Sequence, residues 1–275
     1  MGDIKLIAFD LDGTLLNSKK EITPKTREIL QRAADMKIEI VPATGRIWDV
    51  IPEPVRDLDF INYAVTLNGA KVFDVKTSKT IAKFEIPPER ALKMARVFDD
   101  IDNVIYDAVL NDKGYIRRDY YEAAPDFMYD AWQTKVVLEH RKPVDNFYEI
   151  IENSGGVQKL QMYTLDNDLR QNLLKSLPVV FPKSEFATSL PNNIEINDKT
   201  SNKGNGLKCL AEYLDIKLEN ILAFGDGTND LSMIKSAGIG VAMANSCREL
   251  LEFADSVTAD CDNDGVAEGI MKFCF

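Results

Sequence analysis

Histidine is nearly absent from this chain: His140 is the only one among 275 residues. A His-cluster metal site needs several, and Ser-His or Cys-His catalysis needs one well placed. His140 lies in the charged stretch LEHRKP, the setting of a surface residue. Cysteine is also scarce. Cys209, Cys247, Cys261 and Cys274 all fall in the last quarter and form no CxxC pair, which argues against a disulfide framework or a thiolate zinc site. No apolar run approaches the roughly 20 residues of a membrane span. The amino-terminal IKLIAF runs straight into an acidic loop, with no charged-then-apolar leader before it. The expectation is a cytoplasmic protein with no membrane partner. Positive charge is short as well, with 33 Lys and Arg against 44 Asp and Glu, for a net charge of -11. A nucleic-acid partner is therefore disfavoured, because a phosphate backbone calls for a basic face. Whatever chemistry this chain performs must run on carboxylates, Lys and Thr, with or without a metal. If it handles phosphate, a divalent cation is the economical source of local positive charge.

What is present is the balance of a soluble globular protein long enough for two moderate domains. KLIAF (5 to 9) reads as a buried strand. TPKTREILQRAADM (23 to 36) reads as a helix with Thr23 as N-cap, Pro24 in the first position and Ile29, Leu30, Ala33 and Ala34 as its apolar stripe. IEIVPA (38 to 43) and NYAVTL (62 to 67) read as further strands. The last third repeats the alternation: helix from about Lys203 to Leu214, strand 221 to 224, helix from about Asn229 to Ser236, strand 239 to 243. Ser246 and Glu249 form a capping-box pair opening another helix. Strand alternating with helix is the pattern of a parallel sheet covered on both faces. Between about Pro88 and Leu190 the pattern changes to a helix with Ala91, Met94, Ala95 and Phe98 on one face, a hairpin around Asn111 to Gly114, and mixed segments without carboxylate motifs. This middle reads as a second domain inserted into the first.

Four short motifs carry the chemistry. FDLDGTLL (9 to 16) follows a buried strand directly. Asp10 and Asp12 are two apart, so persisting strand geometry would point both side chains into one cleft, while Gly13 lets the backbone turn. One carboxylate can then attack phosphorus and the other shuttle a proton. ATGR (43 to 46) ends the second strand. Thr44 offers a hydroxyl and Gly45 a closely approachable N–H to phosphoryl oxygens, and Arg46 joins them as a phosphate-binding candidate. Lys203 opens a helix, where the macrodipole disfavours it; its ammonium would neutralise a phosphoryl oxygen and the Asp10 charge. GDGTND (225 to 230) again follows an apolar strand and adds Asp226 and Asp230, hard oxygen ligands of the kind Mg²⁺ prefers. All four motifs sit where a parallel α/β sheet places its ligand crevice, outside the carboxyl ends of strands. Four carboxylates brought together would repel strongly without a cation, so the constellation itself implies bound metal, with Mg²⁺ the natural choice.

In order and spacing these motifs resemble the four signatures of the haloacid dehalogenase superfamily. The insertion of roughly a hundred residues, the tripeptide Asn68-Gly69-Ala70 and SNKGNGL are similar to its Cof-type subgroup with the larger α/β cap. The resemblance implies an α/β fold: a Rossmann-like parallel-sheet core of residues 1–86 and 191–275, with an inserted α/β cap, 87–190, that sets substrate specificity. It further implies Mg²⁺-dependent phosphatase activity through an aspartyl-phosphate on a small phosphorylated metabolite. Asp10 would be nucleophile and metal ligand. Asp12 would be general acid/base and ligate metal through its backbone carbonyl. Asp226 would be the third protein ligand, Thr44 and Lys203 would bind the phosphoryl group with help from Asn229, and Asp230 would support the metal from behind its ligands. VAMANS (241 to 246) departs from the family at Ala244, where Gly is frequent, and alters no catalytic group. Hexose phosphomutase activity is compatible with the same core and cap. A phosphate-sensing module is a weaker alternative, since receiver domains lack an acid two residues past the phosphorylated aspartate. Within the cap, Arg117, Arg118, Tyr120, Tyr121, Tyr129 and Trp132 are candidates for substrate contact, though each could equally be ordinary surface or core.

Overall fold

A computed structural model describes residues 3–275. The chain divides into two units: one runs from the amino terminus to Lys83 and resumes at Asn202–Phe275, and the other is Phe84–Ser201.

The first unit is built on five parallel strands in the order Ser256–Val257, Ile239–Ala242, Ile221–Gly225, Leu6–Phe9, Glu39–Pro42. Side chains along a strand alternate between faces, so the near-continuous apolar runs supply two cores at once. Ile7, Phe9, Ile40 and Phe224 pack against Leu30 and Ala33 of the Pro24–Asp35 helix and Ile270 of the Gly265–Cys274 helix. Leu6, Ala8, Val41 and Ala223 pack on the opposite side against Leu207 and Leu210 of the Lys203–Tyr213 helix and Met233 of Leu231–Ser236. Each fully buried Leu, Ile or Phe contributes about 1.5–3 kcal/mol. The Pro24–Asp35 helix starts as its sequence dictates: the Thr23 hydroxyl accepts the Thr26 N–H at 3.1 Å and Pro24 fills the first turn.

Two local readings change. Tyr63–Thr66 joins the parallel array only at Ala43–Val65; its own ladder is antiparallel, in a three-stranded sheet with Lys71–Asp74 and Thr80–Lys83. The Asn68-Gly69 turn returns the chain at once, before a crossover helix can form. The Ser246–Glu249 capping box does not form. Cys247 occupies the N-cap of the Arg248–Phe253 helix, and the Ser246 hydroxyl donates to the Gly225 carbonyl at 3.1 Å.

The second unit is a six-stranded sheet in the order Ser184–Ala187, Asn193–Asp198, Lys159–Tyr163, Ile105–Leu110, Lys113–Arg117, Arg141–Val144, with only the last pair parallel. Asn111 and Asp112, both at positive φ, make the two-residue hairpin turn before Lys113. One sheet face, with Tyr106, Ala108, Leu160, Met162 and Ile196, carries the helices Pro88–Asp99, Phe147–Glu152 and Asn167–Val180. The boundaries fall at 83/84 and 201/202 rather than at 86/87 and 190/191. The alternating NIEIND (193 to 198) could serve either sheet, and its pairing with Lys159–Tyr163 and Ser184–Ala187 puts it in this unit. Among the described residues, no helix is long and apolar enough to cross a membrane.

Candidate active site

Asp10 is the first residue past the Leu6–Phe9 strand, and its N–H donates to the Phe224 carbonyl, extending the parallel ladder by one rung. The chain then turns sharply: the Thr14 N–H reaches the Leu11 carbonyl and the Leu15 N–H the Asp10 carbonyl. Gly13 makes this possible. Its φ is +82°, and a Cβ there would stand 2.5 Å from Asp226 Oδ2. Strand geometry therefore stops before Asp12, and its carboxylate takes a direction different from the one the two-residue spacing predicted. Asp10, Asp226 and Asp230 converge, with carboxylate oxygens within 4.8 Å of one another, while the Asp12 side chain stands outside that group.

Lys203 joins the three. It opens the Lys203–Tyr213 helix, whose N-cap Asn202 accepts the Asn205 N–H at 2.8 Å. Gly204 allows this helix to seat closely, since a Cβ there would meet the Ser232 carbonyl oxygen at 2.3 Å. The Lys203 side chain is 0% exposed, and its Nζ donates to Asp10 Oδ1 at 2.6 Å and to Asp230 Oδ1 at 2.5 Å. Burial works against a charged lysine, but the two carboxylates more than compensate and hold its pKa above the ordinary value.

The hydrogen bonds separate the roles the three aspartates can play. Asp230 is committed on both oxygens: Oδ1 to Lys203, and Oδ2 to the backbone N–H groups of Asp226 (3.0 Å) and Gly227 (2.9 Å). It ties the loop after the Ile221–Gly225 strand to the lysine. Asp226 Oδ1 accepts the Thr14 hydroxyl at 2.7 Å. Among the described residues, no hydrogen bond reaches Asp10 Oδ2 or Asp226 Oδ2. Burial, opposed by Lys203 and reinforced by the neighbouring carboxylates, raises the Asp10 pKa well above the ordinary carboxylate range. Burial also lifts Asp226, to about 6, against the Thr14 hydrogen bond. Two uncommitted carboxylate oxygens in an excess of negative charge are the donor set a hard divalent cation takes, so the residues present fit such an ion.

Asp12 is held elsewhere. Arg46 grips it with a fork, Nε to Oδ2 at 2.8 Å and Nη2 to Oδ1 at 2.9 Å, and Lys20 Nζ adds a contact to Oδ1 at 2.7 Å. Burial alone would raise its pKa; the Arg46 hydrogen bonds and charge, with Lys20, bring it down to about 2. Arg46, expected on a phosphoryl group, is thus placed on a carboxylate. Thr44 is buried, and its hydroxyl accepts the Arg46 N–H at 3.2 Å while its backbone N–H and carbonyl are used by Val65 and Asn68. Gly45 lies between them in the same loop. Asn229 donates to Asn68 Oδ1 at 3.2 Å. Asn68, Thr14 and Lys20 belong to this constellation and were not among the sequence candidates. Asn-Gly at 68–69 was a detectable signal, because Leu67, Asn68 and Gly69 all take positive φ. Lys20 gave no signal.

In the second unit, Arg117 pairs with Asp99 and Asp119, and Arg118 with Asp145. The Tyr120 ring stands edge-on to Tyr106 and the Tyr121 hydroxyl donates to the Leu138 carbonyl, whereas Tyr129, Trp132 and His140 are exposed.

Comparison with known proteins places this arrangement. Residues 7–270 match the family of haloacid dehalogenase-like hydrolases. The chain is 29% identical to the 5-amino-6-(5-phospho-D-ribitylamino)uracil phosphatase YcsE of Bacillus subtilis, over 98% of this chain and 96% of that one. Its fold is similar to the crystal structure of TM0651 from Thermotoga maritima, with a TM-score of 0.82, 28% identity and coverage of 99% and 98% of the two chains. It is also similar to the subclass IIB sugar phosphatase BT4131, with a TM-score of 0.81, 26% identity and 98% of each chain covered. A buried aspartate and lysine joined by a hydrogen bond at the carboxyl edge of a parallel sheet, in a chain that aligns almost end to end with phosphatases, identify a phosphoric monoester hydrolase that belongs to the haloacid dehalogenase-like family.

Proposed function

We propose that this enzyme transfers the phosphoryl group of a small phosphorylated metabolite to Asp10 and then to water. The observation that carries the reading is the division of labour on Asp10: Oδ1 is fixed by buried Lys203 while Oδ2 accepts no hydrogen bond among the described residues. In the first step a carboxylate oxygen of Asp10 forms a bond to phosphorus as the bond to the leaving oxygen breaks, and Asp12 gives that oxygen a proton. In the second step Asp12 takes a proton from water as the water oxygen bonds to phosphorus and the aspartyl-phosphate bond opens. Lys203, the Thr44 hydroxyl, the Gly45 N–H and Asn229 bind phosphoryl oxygens. Asp10 and Asp226 would hold a Mg²⁺ ion with the Asp12 backbone carbonyl, and Asp230 keeps the loop and lysine in place. When bound, the ion supplies the positive charge that lets an anionic nucleophile meet an anionic phosphate.

The hydrolase chemistry of the relatives, one named for a phosphoribitylaminouracil and another for a sugar phosphate, supports a phosphorylated polyol or sugar as substrate. We assign discrimination among such substrates to the inserted unit, and the compartment to the cytoplasm. The test is chemical trapping. Incubation with a ³²P-labelled phosphomonoester and Mg²⁺, followed by acid quenching, should yield a hydroxylamine-sensitive label that peptide mapping places on Asp10. Turnover without such a label, or a label on another residue, refutes the assignment.

A further inference from the structure

The Asp12 side chain is held by more contacts than an exposed acid needs. The Arg46 fork is bidentate, its Nη1 donates to the Val50 carbonyl at 3.3 Å, and its backbone is pinned at both ends, N–H to Thr44 Oγ1 and carbonyl from the Leu67 N–H. With a side chain only 17% exposed, this guanidinium is built into the loop. A second brace comes from residues 17 to 21. Lys20 stands at a φ of +63°, an uncommon region for a residue with a Cβ. Asn17 holds it there: its carbonyl accepts the Lys20 N–H, its Oδ1 accepts the N–H groups of Lys19 and Glu21, and its own N–H donates to the Glu21 carbonyl. The closed loop returns the Lys20 ammonium to Asp12 Oδ1. Local strain persists where surrounding structure over-determines it, and here it sets a cation on one oxygen of the acid.

The two oxygens are consequently unequal. Oδ1 accepts from Arg46 Nη2 and Lys20 Nζ, which fills its two lone pairs; among the described residues Oδ2 accepts from Arg46 Nε alone. We infer that Arg46, braced by Lys20, is a positioning residue that fixes Asp12 Oδ2 as the atom handling the proton, and is not a ligand of the phosphoryl group. The inference rests on the reading of Asp12 as general acid/base. It adds that the direction of the Asp12 side chain is set by a planar fork, which a lysine cannot reproduce.

The test compares Arg46→Met, Arg46→Lys and the parent, with Mg²⁺, on an alkyl phosphate and on p-nitrophenyl phosphate. A misdirected acid slows loss of a leaving group that needs a proton. The expected result for Arg46→Met is a fall in kcat of about 10²-fold on the alkyl substrate, with KM changed less than about threefold. Nitrophenolate release in the first turnover should fall much less, because that leaving group scarcely needs a proton. Arg46→Lys should show the same leaving-group signature at smaller size, since it keeps the charge but loses the fork; it also serves if the methionine variant folds poorly. Higher KM and weaker inhibition by inorganic phosphate, equal for both substrates, would mark Arg46 as a phosphate ligand and overturn the inference. Parallel losses on both substrates that track a lowered melting temperature would mark it as merely structural and overturn it equally. A parent that forms no label on Asp10 would instead defeat the functional reading beneath, so the two failures are distinguishable.

Discussion

The two units bury charge in opposite ways. In the Phe84–Ser201 unit the buried charges pair one to one: Arg141 Nε lies 2.7 Å from Asp107 Oδ2, and Lys159 Nζ lies 3.0 Å from Glu195 Oε1, with every partner less than a tenth exposed. In the other unit three carboxylates, Asp10, Asp226 and Asp230, gather around one buried ammonium, that of Lys203. Both arrangements cost desolvation. The paired one is balanced in charge, even though buried Asp107 Oδ1 accepts no hydrogen bond among the described residues, whereas the crowded one retains excess negative charge around a single ammonium. Burial of ionisable groups does not by itself mark an active site. An unbalanced set, placed at the carboxyl edge of a parallel sheet, does.

The comparison can be broken at several points, and the largest effect should come from Asp10, the proposed nucleophile. Asp10→Asn removes the attacking anion and one charged ligand, so steady-state phosphate release should fall to background and no acyl-phosphate should be trapped. Asp12→Ala should still form the label from p-nitrophenyl phosphate, with a burst of nitrophenolate, and clear it about 10² to 10⁴ times more slowly. A label in both variants would show that the roles are misassigned.

Metal removal comes next and should separate the units. Excess chelator should abolish turnover, and Mg²⁺ at about 100 times its dissociation constant should stabilise the native protein by about 2.7 kcal/mol, read as a rise in melting temperature. Asp226→Asn should remove most of that rise, while Glu195→Gln, in the balanced unit, should leave it intact. Full activity in chelator would show that charge imbalance is no guide to a cation here.

A smaller effect, confined to stability, is expected from the paired charges. Arg141→Met strands the Asp107 carboxylate and should cost about 3–5 kcal/mol in urea unfolding, whereas the double variant Asp107→Leu, Arg141→Met should recover most of that loss. If the double variant is no better than the single one, the pair is more than a balanced structural unit.

The smallest effect is a pH dependence at Asp198. Burial raises its pKa, but hydrogen bonds from Thr200 and Arg90 prevail and hold it below the ordinary carboxylate value. A depressed folded-state pKa contributes stability that is present above about pH 4 and is lost as pH falls through the folded value. Asp198→Asn should therefore flatten the acid limb of the stability profile below about pH 4. A parent and variant that lose stability in parallel there would assign the acid sensitivity to other carboxylates.

Much of this was legible in the sequence because it depends on local rules. Alternating strand and helix periods give an α/β class; Thr23 and Pro24 start their helix because the first turn needs an acceptor and tolerates a missing N–H. The members of the buried cluster were legible too, since Asp10, Lys203, Asp226 and Asp230 sit in short motifs and the sheet edge collects them. What the sequence could not decide was direction and partnership. The two-residue spacing of Asp10 and Asp12 predicted parallel side chains, but the turn at Gly13 lays the Asp12 carboxylate on Arg46, 34 residues along the chain. NIEIND could serve either sheet until its hydrogen bonds chose one. Lys20 is an ordinary surface lysine by every local rule, and only the loop closed by Asn17 places its ammonium on the acid. Residue type and local period are properties of the chain. Which oxygen of a carboxylate is left free is settled by donors arriving from distant segments, and that only the tertiary structure could decide.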